Sequence, residues 1–243
     1  MKSIYTFLLL SLFLMFGASA QQPLTDSALY AQSVNNALED YKKAVQENLH
    51  IYNGIEYLRT GHGVKGTPFF ESDSLLPGVV FYDGRLYENT ALHYDLVTDD
   101  VVINNYTQNN EIKLVPEKLS YFYILQHLFV RITADSSLPS FITTGFYEKL
   151  CDGKLSVFAR RQKIPRLSIN ASDNDAKYNE YNYYYVLLND TFYRAGDKND
   201  FLSLVADKKN EIRKYIKDNK INFNKKREVF MVQVAEYYSQ LKN

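Results

Sequence analysis

The chain predicts an α+β fold, mostly antiparallel β: a meander curled into an open barrel or sandwich, with an N-terminal helix and a C-terminal helical pair. Three observations carry this expectation. Between residues 79 and 194 apolar residues recur at alternate positions, in runs interrupted by Asp83-Gly84, Asp152-Gly153 and Asn189-Asp190, as tight hairpins require. On either side of that stretch the apolar spacing becomes three and four, the period of a helix with one buried face. The chain also carries 21 Tyr and 15 Phe but no Trp, and Tyr suits a pleated, half-buried surface.

The first twenty residues read as an export signal. Lys2 supplies the positive start, and residues 4–16 are apolar except for Thr6 and Ser11. Ala18-Ser19-Ala20 then forms a small-x-small cleavage pattern before Gln21. The run falls short of the ~20 apolar residues that cross a bilayer. Gln21 rather than Cys follows the cut, so nothing supports a lipid-anchored start. The expectation is an exported protein, periplasmic or extracellular and outer-surface associated, and not integral to the membrane after cleavage.

Residues 21–60 form the second expected segment. Tyr30, Val34, Leu38, Tyr41, Val45, Leu49 and Tyr52 make one apolar stripe, with Asn53-Gly54 to end it. Residues 61–78 are rich in Gly and Pro and read as a crossing from helix to sheet. Gly61-x-Gly63-x-x-Gly66 lacks the preceding strand and following helix that a phosphate loop needs. A β-rich domain is expected over residues 61–196, with strands near 79–82, 86–97, 101–106, 111–115, 119–125, 127–133, 146–151, 155–161 and 183–193. Residues 168–182, dense in Asn, Asp and Ser, read as an exposed loop. Residues 197–243 return to helical spacing, through Phe201, Ile212 and Tyr215 and then Phe230, Val234, Tyr237 and Leu241, with Asn224 as a cap.

Composition narrows the function classes. Lys plus Arg and Asp plus Glu each number 28, a net charge of zero. Nucleic-acid binding requires a concentrated basic surface, so no nucleic acid is expected among the partners. Cys151 is the sole cysteine, so no internal disulfide can staple the fold, and the residue reads as a small apolar strand side chain. Arg160, Arg161, Lys163 and Arg166 read as the charged decoration of an edge strand.

No catalytic, cofactor-binding or metal-binding residue is assigned by sequence, and no cofactor is expected. The nearest approach to a site is the polar cluster Glu88, His93, Asp95, Asp99 and Asp100. On a strand, His93 and Asp95 share a face, so a carboxylate could orient an imidazole. General acid–base work also needs a nucleophile or a metal, and neither is identifiable. The cluster therefore reads as a solvent-facing polar row opposite Leu92, Tyr94 and Leu96. The four histidines, His50, His62, His93 and His127, are dispersed without ligand spacing.

Several segments together carry a resemblance: Tyr52-Asn53-Gly54-x-Glu56-Tyr57, Gly66-x-Pro68-Phe69-Phe70, Tyr82-Asp83-Gly84-x-x-Tyr87-Glu88-Asn89, Tyr94-Asp95-Leu96, and Gly145-Phe146-Tyr147-Glu148 with Asp152-Gly153-Lys154. Across most of the chain they resemble a group of exported proteins of Gram-negative bacterial envelopes whose function is unknown. The resemblance implies a periplasmic or outer-surface setting and brings no catalytic residues. The expectation is a non-catalytic binding or scaffold protein of the bacterial cell envelope, partnered by an envelope protein, lipid or glycan. A carrier of an apolar or lipidic ligand is the alternative, followed by a hydrolase using His93 with nearby carboxylates.

Overall fold

The structure, a computed structural model, describes residues 30–37, 50–61, 63–105, 108, 110–167 and 176–241. The export signal and the middle of the N-terminal stripe lie outside the described residues. The chain forms two compact units, residues 1–48 and 49–243. In the first, residues 30–37 form helix α1, with Tyr30 and Val34 exposed.

The second unit begins earlier as sheet than its sequence suggests. His50–Tyr52 is a single 3-10 turn that buries Ile51 in the sheet core, and Ile55–Glu56 is already strand β1. Eleven further strands follow: β2 Val64–Lys65, β3 Leu76–Tyr82, β4 Arg85–Asp95, β5 Asp100–Asn105, β6 Asn110–Lys113, β7 Leu119–Ile124, β8 His127–Ile132, β9 Gly145–Cys151, β10 Leu155–Leu167, β11 Ala176–Leu188 and β12 Thr191–Arg194. They make one open sheet in the order β1-β6-β5-β4-β3-β7-β8-β9-β10-β11-β12, antiparallel except where β2 pairs with β11. The two outermost strands have two and four residues, short enough to offer little edge for aggregation.

All three hairpin signals join antiparallel neighbours, but their turns differ. Asp83 and Gly84 both take positive φ, 51° and 76°, and Tyr82 pairs with Arg85 across them, the geometry of a primed two-residue turn. Asn189 and Asp190 do the same at 50° and 58°. Asp152-Gly153 does not: Cys151 pairs with Val157, not Leu155, and the longer turn is tied by Ser156, whose hydroxyl accepts from the Gly153 amide and donates to Asp152. A Cβ there would sit 2.6 Å from the Ser239 hydroxyl, which would have to turn away from its bond to the Ala235 carbonyl.

The long β10–β11 ribbon corrects two expectations. Residues 176–182, expected within an exposed loop, extend β11, since Tyr178, Tyr181 and Tyr183 supply β propensity that the intervening Asn and Glu obscure. Residues 168–175 of that expected loop lie outside the described residues. The basic run is not exposed decoration throughout either: β9 pairs with β10 only as far as Ala159, yet the two arginines that follow are buried, while Arg166 is exposed. Arg160 and Arg161 are only 8% and 7% exposed.

Three helices, α2 Lys198–Ser203, α3 Lys209–Asp218 and α4 Arg227–Gln240, close the chain. Asp197 caps α2, accepting from the Asn199 and Asp200 amides, while Asp200 accepts from the Asp197 amide. Asn222, rather than Asn224, organises the turn before α4 by accepting from the amides of Asn224 and Lys225. Phe201, Phe230, Met231 and Val234 fill the space against Leu155, Val157 and Val186 of the sheet. Tyr215 and Tyr237 stack at 4.0 Å to join α3 to α4. A second cluster, around Tyr94, Phe122, Phe129 and Phe146, sits under β3–β9.

Adjacent arginines link these parts because successive strand residues face opposite ways. Arg160 grips Asp99 with both nitrogens, at 2.7 and 2.9 Å, and donates to the Phe146 carbonyl. A Cβ at Gly145 would fall 2.5 Å from both halves of this pair. On the other face Arg161 donates to Glu148 at 2.6 Å and to both oxygens of Glu228 on α4, at 2.7 and 3.1 Å. His127 and Tyr184 complete the network, at 2.5 Å from Glu148 and 2.7 Å from Glu228.

Removing Arg161 would leave Glu148 buried without its countercharge, so Arg161→Met should cost about 3–5 kcal/mol by urea denaturation. Acid should loosen the same network. Burial alone would raise the Glu228 carboxyl, but hydrogen bonds from Arg161 and Tyr184 hold it below the ordinary glutamate range. The stabilisation is complete above ~4.3 and is lost as pH falls through the lower folded value. Glu228→Gln should flatten the acid limb of a stability profile in that window.

Candidate functional site

The sequence-derived cluster is brought together only in part, and of its members only Glu88 is solvent-exposed. Phe69 lies on His93, rings stacked at 4.0 Å, with the Arg59 guanidinium 5.3 Å from the Phe69 ring centre. This cover leaves His93 4% and Asp95 0% exposed. Residues 68–70 reach that position by running alongside β4 beyond the point where β3 begins opposite Leu92, with Phe69 opposite Asp95. The Phe70 amide donates to the Tyr94 carbonyl and the Leu96 amide to the Pro68 carbonyl. Lys163 secures the strap from β10, its ammonium donating to the carbonyls of Thr67 and Phe69.

Each acidic member of the cluster is occupied structurally, apart from one. Asp95 accepts from the Tyr57 hydroxyl at 2.7 Å and from the Val97 and Thr98 amides, fixing the β4–β5 turn. Asp99, at positive φ in that turn, holds Arg160 and accepts from the Tyr94 hydroxyl. Asp100 pairs with Lys113 across β5 and β6 at 3.2 Å. Glu88 is exposed on β4, apart from the others. His93 lies 3.5 Å from Glu111, but burial pushes its imidazole below the ordinary histidine value despite that carboxylate. The arrangement buries His93 beneath an aromatic lid.

Cys151 ends β9 and packs against the helix-facing core. Burial pushes its thiol up to about 11, which leaves almost no thiolate at neutral pH. Among the described residues no three His, Cys, Asp or Glu side chains gather as a metal site.

An opening lies elsewhere, where β12 leaves the edge of β11. It is a groove of about 450 Å³. Tyr183, Tyr184 and Tyr185 of β11 and Phe141 of the β8–β9 connection form aromatic walls, and Arg160, Arg194 and Arg227 converge on it. The lining contains no carboxylate. Arg194 stands 5.2 Å over the Phe141 ring. Arg227 is held between Tyr184 and Phe223, at 5.2 and 5.0 Å, and donates to the Gly196 carbonyl. Two buried polar atoms of the lining have no hydrogen-bond partner, Arg160 Nε and Asn182 Oδ1.

Guanidiniums with their faces laid on aromatic rings keep their edges available for hydrogen bonding to anions. Sequence reasoning missed this groove because its residues span positions 141 to 227 and share no motif. The one local signal was the Tyr183-Tyr184-Tyr185 run in a strand otherwise full of Asn and Glu. Comparison with protein families, characterised proteins and solved structures returns no match for the chain.

Two measurements check the buried groups. Iodoacetamide at pH 8 should alkylate Cys151 in the native protein roughly a hundredfold more slowly than in urea. Stability contributed by neutral His93 is complete above ~6.5 and falls as pH drops toward its lower folded value. The loss in unfolding free energy between pH 7.5 and 5 should therefore shrink in His93→Phe.

Proposed function

We propose that the protein is an exported, non-catalytic binding protein of the bacterial cell envelope, and that the groove at the β11–β12 edge takes an anionic ligand. The carrying observation is the convergence of Arg194 and Arg227 on aromatic walls with no carboxylate in the lining, beside the unpartnered Nε of Arg160, whose other nitrogens are held by Asp99 and the Phe146 carbonyl. A ligand carboxylate or phosphate there would meet preorganised donors rather than flexible ones, which lowers the ordering cost of binding. The N-terminal sequence pattern supports export, and the resemblance to exported envelope proteins supports the setting.

Two other readings have less support. Carriage of an apolar ligand between sheet and helices would need space that Phe201, Phe230, Met231 and Val234 already fill. Hydrolysis by His93 would need access that Phe69 and Arg59 close off.

Titration with sodium polygalacturonate and with poly-L-glutamate at low ionic strength tests the reading. At least one polyanion should bind, its affinity should fall steeply with salt, and Arg194→Gln should weaken it about tenfold. Arg194 has no ion pair among the described residues, so the variant should keep the wild-type melting temperature. Binding unaltered by Arg194→Gln, or no binding of either polyanion, overturns the reading.

A further inference from the structure

We infer that the ligand of this groove is an acidic polypeptide segment, and that it adds to the sheet as an extended strand along residues 178–183 of β11; the inference rests on the anionic-ligand reading above. Edge accounting leads to it. β10 pairs with β11 over its whole length, from Leu155 opposite Leu188 to Leu167 opposite Ala176, which occupies one edge of β11 completely. The other edge is shared: β12 covers residues 185–188 and β2 covers 176–177. The last backbone bond on the β12 side runs from the Ala195 amide to the Tyr184 carbonyl. Residues 178–183 have no strand on this edge among the described residues.

Alternation fixes what the gap offers. Because the Tyr184 carbonyl faces β12, the backbone N–H and C=O groups of Asn182 and Glu180 face the same way. They stand in a slot of about 20 Å, bounded by β12 at one end and β2 at the other. Pairing with β10 holds those groups in register, so an entering strand would meet a rigid template. The bounded slot admits a short segment rather than an unlimited stack of copies.

The side chains around the slot set the chemistry of the occupant. Arg194 and Arg227 stand at the β12 end. Lys177 lies at the β2 end, opposite Arg166, whose guanidinium is 5.8 Å over the Tyr181 ring. Glu180 is the one acidic residue between them, so acidic side chains are favoured on the incoming strand. Tyr183, 45% exposed, offers a flat apolar contact. Asn182 Oδ1 and Arg160 Nε, both buried without partners, would gain an acceptor's and a donor's complement. A glycan could satisfy the guanidiniums but lacks the alternating amide and carbonyl groups that the edge presents. That pattern selects a polypeptide.

The test uses the intact protein and a blocked octapeptide alternating Glu and Val, prepared unmodified and in two forms N-methylated at alternate residues. N-methylation removes the hydrogen bonds of one strand edge and leaves the charge unchanged. The unmodified peptide should bind, one methylated form should bind at least tenfold more weakly, and the other should match the parent. The Glu180 and Asn182 amides should gain protection from hydrogen exchange on binding. Equal binding of all three peptides, or no added protection, overturns strand addition while leaving the anionic groove intact. Polygalacturonate binding without peptide binding overturns the polypeptide assignment alone. Failure of every polyanion overturns both readings.

Discussion

Two consecutive guanidiniums at the middle of the longest ribbon are the constraint on which the rest of the fold depends. A strand sends neighbouring side chains to opposite faces, so Arg160 and Arg161 act on different parts of the protein from one point of attachment. Arg160 fastens the β4–β5 turn through Asp99, and Arg161 fastens the last helix through Glu228 while neutralising buried Glu148. Burying cations in this way is costly unless every polar atom finds a partner. Arg161 donates through all three of its nitrogens to carboxylates or lies against them, whereas Arg160 keeps Nε unpartnered. That asymmetry falls on the side facing the groove.

Much of the architecture was legible because hairpin chemistry and periodicity are local. Strands β3 to β9 stand close to where alternation put them, and Asp83-Gly84 does what its residue types suggest. Asp152-Gly153 shows the limit of such reasoning: the same dipeptide occurs in a longer turn that packs against the Ser239 side chain of a helix nearly ninety residues further on. That tertiary contact is one that no neighbouring residue announces. β11 was obscured in the opposite sense. Its Asn and Glu residues look like loop, yet they occupy an edge where polar side chains and unpaired backbone can remain wet.

The candidate site divides along the same line. That His93 and Asp95 share a strand face was readable from spacing, but which side of the sheet is covered depends on Phe69 crossing from a loop, and no period records that crossing. The countercharges of the basic run were equally hidden, since Asp99, Glu148 and Glu228 lie at unrelated distances along the chain. Local composition suggested a decorated edge. Tertiary ion pairing buried its first two members and left Arg166 at the surface.

The span of these ion pairs has a consequence for synthesis. Arg161 and Glu228 are 67 residues apart in sequence, and the carboxylate belongs to the final helix. A polypeptide emerging from its amino end presents β9 and β10 well before that helix exists. Until then, closing the ribbon would trap a guanidinium and Glu148 without their full complement. The wiring therefore penalises early compaction and favours a late, concerted step once α4 has appeared.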